Sequence, residues 1–309
     1  MLGLLPIYPR AYEEMIKQSV NRSTSFIRAT CLSLVMAGWP VLSTAAEPIA
    51  NEPSAQQSYT AQLRAAIEGN WRSEANVARD VWRHPAQVLE FFGLQPQHTV
   101  VEITPGAGWY AEILAPYLRE EGRYIAAVVD PQTLAADAPG RTYQVRAFDE
   151  LKDRFAQAPA QFDRAQVVAY DPAKPAFGPA ASADVVVTFR NVHNWRAAGQ
   201  AEGMFAAFFD VLKPGGVLGV VEHRAKADVA EDDRSGYVGQ AQMIALAQAA
   251  GFTFHLDSEV NSNPRDSKDH PNGVWTLPPS NKHEASEAAK YQAIGESDRM
   301  TLRFIKPAE

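Results

Sequence analysis

Two short polar clusters carry most of the reactive side chains of this 309-residue chain: Arg190-Asn191-Val192-His193-Asn194-Trp195 and Glu222-His223-Arg224. Each follows directly on an apolar run, Asp184–Phe189 and Val217–Val221. An imidazole with its ordinary pKa of about 6.5 accepts a proton at neutral pH, so His193 and His223 are candidate bases. Glu222 could orient such a base or act in its place. Asn191 and Asn194 could hold a heteroatom of a bound molecule, and Trp195 or Trp109 could stack on a flat or cationic one. A second reading stands beside this one, in which either histidine is a hydrogen-bonded structural residue. His193, Glu222 and His223 fit no standard metal-ligand spacing, so no metal is expected.

The third reactive feature is a glycine turn. Val100-Val101-Glu102-Ile103-Thr104-Pro105-Gly106-Ala107-Gly108-Trp109-Tyr110 reads as strand, turn and helix start. Glycines there let the backbone approach a ligand, and the helix start offers unpaired N–H groups. Gly106-x-Gly108-x-x-Ala111 satisfies a dinucleotide fingerprint, which is weak evidence by itself. Trp109 and Tyr110 would crowd a pyrophosphate. Asp130 ends the next apolar run, where a carboxylate can accept from two ribose hydroxyls. Asp171 ends the run after that and could meet an adenine edge. No Gly-x-Ser-x-Gly elbow and no Walker motif is present, so hydrolase and P-loop chemistry have no support.

The positioning elements follow from periodicity. Helical spacing runs from Thr60 to Phe92 through Leu63, Ile67, Trp71, Val77, Val81 and Trp82. Pro85 should open a helix with Val88, Leu89 and Phe92 inward, and Gly93 should end it. Strands are expected at Thr99–Ile103, Tyr124–Val129, Gln166–Tyr170, Asp184–Phe189, Val217–Val221, Phe252–Val260 and Arg299–Ile305. Helices are expected at Trp109–Leu118, across Phe205, Phe208, Phe209 and Leu212, and at Met243–Ala250. Pro116 should kink or shorten the first of these. Lys213-Pro214-Gly215-Gly216 reads as a turn. Strands separated by helices imply a mostly parallel α/β sheet covered on both faces. Asn261–Ser297 breaks the pattern: it is long and polar, with Pro264, Pro271, Pro278 and Pro279.

The N-terminus reads as an address. Lys17, Arg22 and Arg28 flank an apolar stretch from Ala29 to Leu42, and Ser43-Thr44-Ala45-Ala46 supplies small residues before Glu47-Pro48. That is the pattern of a secretory signal. It falls short of the roughly 20 residues that a spanning helix needs. Residues 1–46 are therefore expected to be a cleaved signal, 47–59 a linker and 60–309 one domain that includes the helices of 60–93. An exported, periplasmic protein follows, with a cytoplasmic fraction if the leader is inefficient. Cys31, the chain's one cysteine, lies in the leader, so the mature chain forms no disulfide. The formal net charge is −7, and loss of the leader makes the remainder more acidic. Such a domain repels phosphate backbones. A small-molecule partner is expected, with no nucleic acid and no membrane insertion after the signal is removed.

Several blocks together give a resemblance: Arg79-Asp80 with Arg83-His84-Pro85; Pro105-Gly106-Ala107-Gly108-Trp109-Tyr110; Phe189 to Trp195; Val274-Trp275-Thr276-Leu277-Pro278-Pro279; and Gly295-Glu296-Ser297-Asp298-Arg299-Met300. From Ser73 to Pro307 the chain resembles class I S-adenosylmethionine (SAM)-dependent methyltransferases. It is most similar to predicted bacterial methyltransferases that carry export signals. The resemblance implies a Rossmann-like fold, with a seven-stranded mostly parallel sheet and an N-terminal helical extension. It implies SAM as cofactor and methyl transfer to a small-molecule acceptor. By the same resemblance, Glu102 holds the first acidic position, Gly106 and Gly108 are motif glycines, Asp130 is the ribose carboxylate and Asp171 the adenine-side acid. Thr104, Tyr110 and Arg190 complete the expected cofactor-binding set. Thr104 stands where the wider class has a glycine, so its side chain would crowd the methionine moiety or hydrogen-bond it. An NAD-dependent oxidoreductase and a non-catalytic small-molecule binder are the alternatives. The Pro-Gly-Gly turn and the two closing strands count against the oxidoreductase.

Overall fold

The computed structural model describes residues 55–138 and 140–308. The expected signal, and the linker up to residue 54, lie outside the described residues. Among the described residues, four helices precede the sheet: α1 (Ala55–Ile67), α2 (Glu74–Val77), α3 (Asp80–Arg83) and α4 (Pro85–Phe91). The sheet and its helices follow as β1 (Thr99–Ile103), α5 (Ala111–Tyr117), β2 (Arg123–Val129), α6 (Arg141–Gln157), α7 (Pro159–Phe162), β3 (Gln166–Tyr170), β4 (Ala183–Phe189), α8 (Val192–Ala197), α9 (Ala201–Val211), β5 (Leu212–His223), α10 (Gln240–Ala249), β6 (Thr253–Ser258), α11 (Ala288–Ile294) and β7 (Arg299–Ile305).

The seven strands lie in the order β3-β2-β1-β4-β5-β7-β6. β1 to β5 are parallel, and β7 runs antiparallel between β5 and β6. β1 and β4 are apolar on both faces, as a strand with helices above and below must be. One core packs Leu63, Val88, Leu89, Ile113, Leu114 and Leu151 onto one face of the sheet. The other packs Trp195, Met204, Phe205, Phe208 and Met243 onto the opposite face. The strand order reverses between β1 and β4, which opens a crevice beyond their carboxyl ends. Among the described residues, no helix is long and apolar enough to cross a membrane.

Three elements differ from expectation. α1 begins at Ala55, inside the segment expected to be linker. Leu63 and Ala66 bury there against the core, and a packing partner stabilises a helix that propensity alone would leave marginal. Pro116 sits in the last turn of α5 without ending it early. Proline has no N–H to give the Glu112 carbonyl four residues back, and the Trp71 indole N–H donates to that carbonyl at 2.8 Å instead. Lys213 to Gly216 fall within β5, where the register jumps from Ala183–Leu212 to Val185–Val217. The excursion is pinned to β7 by Gly215 N–H donating to Lys306 O and Lys306 N–H donating to Gly216 O.

The polar stretch 261–297 is ordered around buried carboxylates and amides. Asp266 accepts from the Tyr237 hydroxyl and from the Lys268 and Asp298 N–H groups. Asn263 donates its amide to the carbonyls of Ile294 and Glu296. The stretch folds on its own hydrogen bonds, which a search for apolar periodicity does not detect.

Candidate active site

β4 and β5 end side by side, and this brings His193, Glu222 and His223 together. Glu222 is fully buried, and all of its acceptor capacity is committed. Its Oε2 accepts from the N–H groups of Val192 and His193 at 2.7 and 3.2 Å. Its Oε1 accepts from the His223 N–H at 2.8 Å and lies 3.0 Å from His193 Nδ1. An ionised carboxylate only accepts, so in this pair Nδ1 is the donor, and Nε2 faces away from Glu222. Trp275 sets an edge against the His193 ring at 5.8 Å. His223 Nδ1 meets the Ser297 hydroxyl. Burial, and then the charges of His193, Arg190, Arg299 and Arg83, hold the His223 imidazole well below its ordinary range, so it is neutral at neutral pH. One ligand-type atom from each of His193, Glu222 and His223 falls within 4.8 Å of the others. With both Glu222 oxygens already holding N–H donors, the arrangement is a carboxylate–imidazole dyad rather than a free ligand set.

The other residues of this cluster have different work. Asn191 donates its amide to the carbonyls of Ile103 and Thr104 and to the Thr188 hydroxyl, so it ties β1 to β4 instead of reaching an acceptor. Asn194 is exposed. Trp195 is buried against Phe208, and Trp109 lies between Arg72 and Arg83 with its N–H on the Asn76 carbonyl. Neither indole is free to stack on a ligand.

The glycine turn follows β1 with Thr104, Gly106 and Gly108 all at positive φ, 53°, 60° and 86°. The Thr104 hydroxyl turns away from the turn and bonds the Tyr170 hydroxyl at 2.6 Å. A Cβ at Gly106 would meet only the Tyr143 hydroxyl, at 3.2 Å, among the described residues. The space belongs to a shallow cleft lined by Thr104, Gly106, Val128, Val129 and Gln144. Gly108 differs: its φ of 86° suits glycine, and a Cβ there would come within 2.7 Å of Leu151, so its lack of a side chain makes room for helix packing. Glu102 is buried and accepts from the Tyr124 hydroxyl at 2.7 Å, below the turn and away from its surface. Burial pushes the Glu102 carboxyl up to about 7. Asp130 and Asp171 end β2 and β3, and each uses one oxygen to cap its own turn, on Gln132 N–H and Ala173 N–H.

Tyr110 and Arg190 belong to a second, narrow pocket beyond β4 and β5. Tyr110 stacks on Phe189 with centroids 3.6 Å apart. Arg79, Arg83, Arg190 and Arg299 converge on one carboxylate, Glu296. Arg83 is 3% exposed and lies over the Trp109 ring. Charge spacing on a short helix does not disclose a partner more than 200 residues away. The signal in the sequence was the pair of dense charged blocks, at 79–84 and 296–299, each bordering apolar residues.

No protein-family model and no curated protein matches the chain. Among solved structures it is similar to the [4+2]-cyclase SpnF, at 17% identity over 83% of this chain and 98% of that one, with a TM-score of 0.51. It is also similar to a SAM-dependent methyltransferase from Aquifex aeolicus, at 14% identity over 80% and 98%, with a TM-score of 0.49. A TehB-like SAM-dependent methyltransferase from Corynebacterium glutamicum aligns at 12% identity over 82% and 97%, with a TM-score of 0.43. The sheet order, the antiparallel β7 and the structural likeness together make this a Rossmann-like class I methyltransferase fold.

Proposed function

We propose that this protein transfers a methyl group from SAM to a small-molecule acceptor, with His193 as the base. The observation that carries the reading is the His193–Glu222 dyad, which orients the imidazole with Nδ1 as the donor and Nε2 facing away from Glu222. Glu222 is itself immobilised by three backbone N–H groups, so the ring has one preferred orientation. The residues fit the cofactor. Gly106 leaves an open cradle, and Asp130 has its Oδ2 without a hydrogen bond among the described residues, at the strand end suited to ribose hydroxyls. When bound, SAM would supply a sulfonium methyl open to in-line displacement. The chain's own part is to align the acceptor and take its proton at His193 Nε2. Export remains a proposal resting on residues 1–46, tested by fractionating cells that express the tagged chain.

The test is calorimetric titration of the full-length protein with S-adenosylhomocysteine, SAM and NAD in parallel. Saturable binding of the first two, lost in Asp130→Ala, supports the reading. Failure of both to bind a demonstrably folded protein overturns it, and binding of NAD alone would put an oxidoreductase in its place. One solved structure sharing the fold is a [4+2]-cyclase, which favours a second reading in which the fold serves no methyl transfer. Retention of the labelled methyl by bound SAM across a broad acceptor panel would favour that reading.

A further inference from the structure

The arginine pocket beyond β4 and β5 holds more positive charge than the protein neutralises. Four guanidinium groups face Glu296, with Arg79 at 2.7 Å, Arg299 at 3.0 Å, Arg83 at 3.6 Å and Arg190 at 3.9 Å. Glu102, also within the field of Arg83, has its carboxyl pushed up to about 7 and contributes only a fractional charge. Arg83 is buried, lines the pocket and lies over the Trp109 ring; its Nε is enclosed, 3.6 Å from Glu296 Oε2, and makes no hydrogen bond among the described residues. A guanidinium taken out of water without a hydrogen-bonding partner is strongly unfavourable, so a fold that keeps one has a use for it. Arg190 is held at φ 62°, a left-handed conformation that a non-glycine residue rarely adopts, at the point where β4 delivers its side chain to this pocket.

We propose that this pocket is the subsite for an oxyanion, a carboxylate in the first instance, of the small-molecule acceptor. The proposal rests on the methyl-transfer reading and names the class of acceptor. A planar guanidinium presents paired N–H donors that match a carboxylate, and Arg83 and Arg190 both have donors to give. The stacked Tyr110 and Phe189 rings line the same pocket and offer an apolar wall to the rest of the molecule. The nucleoside-side acids end β2 and β3, whereas the arginines gather beyond β4, β5 and β7, on the other side of β1. That separation sets the anion apart from the nucleoside half of the cofactor, and the second arm of the test below distinguishes an acceptor anion from the cofactor's own carboxylate.

The experiment titrates full-length wild type, Arg83→Met, Arg190→Met and Arg146→Met with sodium benzoate and sodium sulfate against sodium chloride at matched ionic strength. Arg146 is an exposed residue of α6 and serves as the control. The expected result is saturable benzoate binding to wild type and Arg146→Met, weakened at least tenfold in Arg83→Met and Arg190→Met. Arg190 is partly exposed, so its variant keeps the test open if Arg83→Met fails to fold. No saturable anion binding, or binding equal in all four proteins, overturns the proposal while leaving the cofactor reading intact. A second arm measures S-adenosylhomocysteine and methylthioadenosine, which lacks the amino-acid carboxylate. Unchanged affinity for both in the arginine variants supports the assignment. Loss of S-adenosylhomocysteine alone overturns it, because the anion would then be the cofactor's own. If wild type binds neither nucleoside, the cofactor reading fails separately, and the benzoate arm still decides whether the pocket takes an anion.

Discussion

His193 Nδ1 lies 3.0 Å from Glu222 Oε1, and every other hydrogen bond to that carboxylate comes from a backbone N–H. The dyad therefore sets the tautomer. Glu222→Gln should destroy the Nδ1-protonated preference, read as a change in the His193 ring-nitrogen shifts by NMR. It should also lower methyl-transfer kcat by about 10²-fold once an acceptor is in hand. An unchanged tautomer in Glu222→Gln would remove Glu222 from its positioning role.

Trp71 stands in for the hydrogen bond that Pro116 cannot make. Trp71→Phe should cost about 1–3 kcal/mol, because the Glu112 carbonyl is left without a donor. In a Pro116→Ala background the residue at 116 regains an N–H that can reach the same carbonyl, and the cost of Trp71→Phe should shrink by about 1 kcal/mol. Urea melts of the double-mutant cycle measure the coupling, and strict additivity would sink the account.

Glu102 is a carboxyl raised by burial, from an ordinary 4.5 to about 7. Its folded form holds a proton that the unfolded chain releases, so its contribution to stability is fully present below pH 4.5. That contribution is lost as pH rises through 7. The span corresponds to roughly 3 kcal/mol at most. Glu102→Gln should flatten the stability profile between pH 4.5 and 7 and make the variant more stable than wild type at pH 8. A parallel profile would refute the assignment.

Thr104 is a β-branched residue at φ 53°, and its hydroxyl holds Tyr170. Thr104→Gly relieves about 1–2 kcal/mol of backbone strain, but loses a hydrogen bond worth about 1 kcal/mol and adds a similar chain-entropy cost. The net change in thermal unfolding should stay within about 1 kcal/mol, whereas Tyr170→Phe should destabilise by about that much. Since the hydroxyl faces Tyr170, S-adenosylhomocysteine affinity should be little altered in Thr104→Gly.

The strands were legible because they are apolar runs bounded by turns: Thr99–Ile103, Gln166–Tyr170 and Arg299–Ile305 begin and end where the pattern places them. The His193–Glu222 pairing was legible too, since both follow adjacent strand ends in a parallel sheet. The backbone contacts of Asn191 and the packing of Gly108 were not legible, because residue type does not reveal which neighbour claims it. One binds the backbone of β1 and the other makes room for Leu151. The arginine pocket was illegible as a pocket. Its parts lie at 79–83, 190 and 296–299, and only the closure of the sheet brings them together. Residues 261–297 gave no periodicity because buried polar groups, not an apolar face, order them.

β7 is the last strand in the chain but not the last in the sheet: it runs between β5 and β6. During synthesis the growing protein therefore holds a sheet ending in β5 with an open edge and, apart from it, a β6 segment with nothing to pair. Both wait for β7 to be made. Glu296, Ser297 and Arg299 arrive with that same strand, so the carboxylate that gathers the arginines and the hydroxyl that meets His223 come last. Such long-range closure is slow and leaves strand edges exposed in the meantime. A nascent chain stalled before β7 would have most of its helices but neither of these two groups.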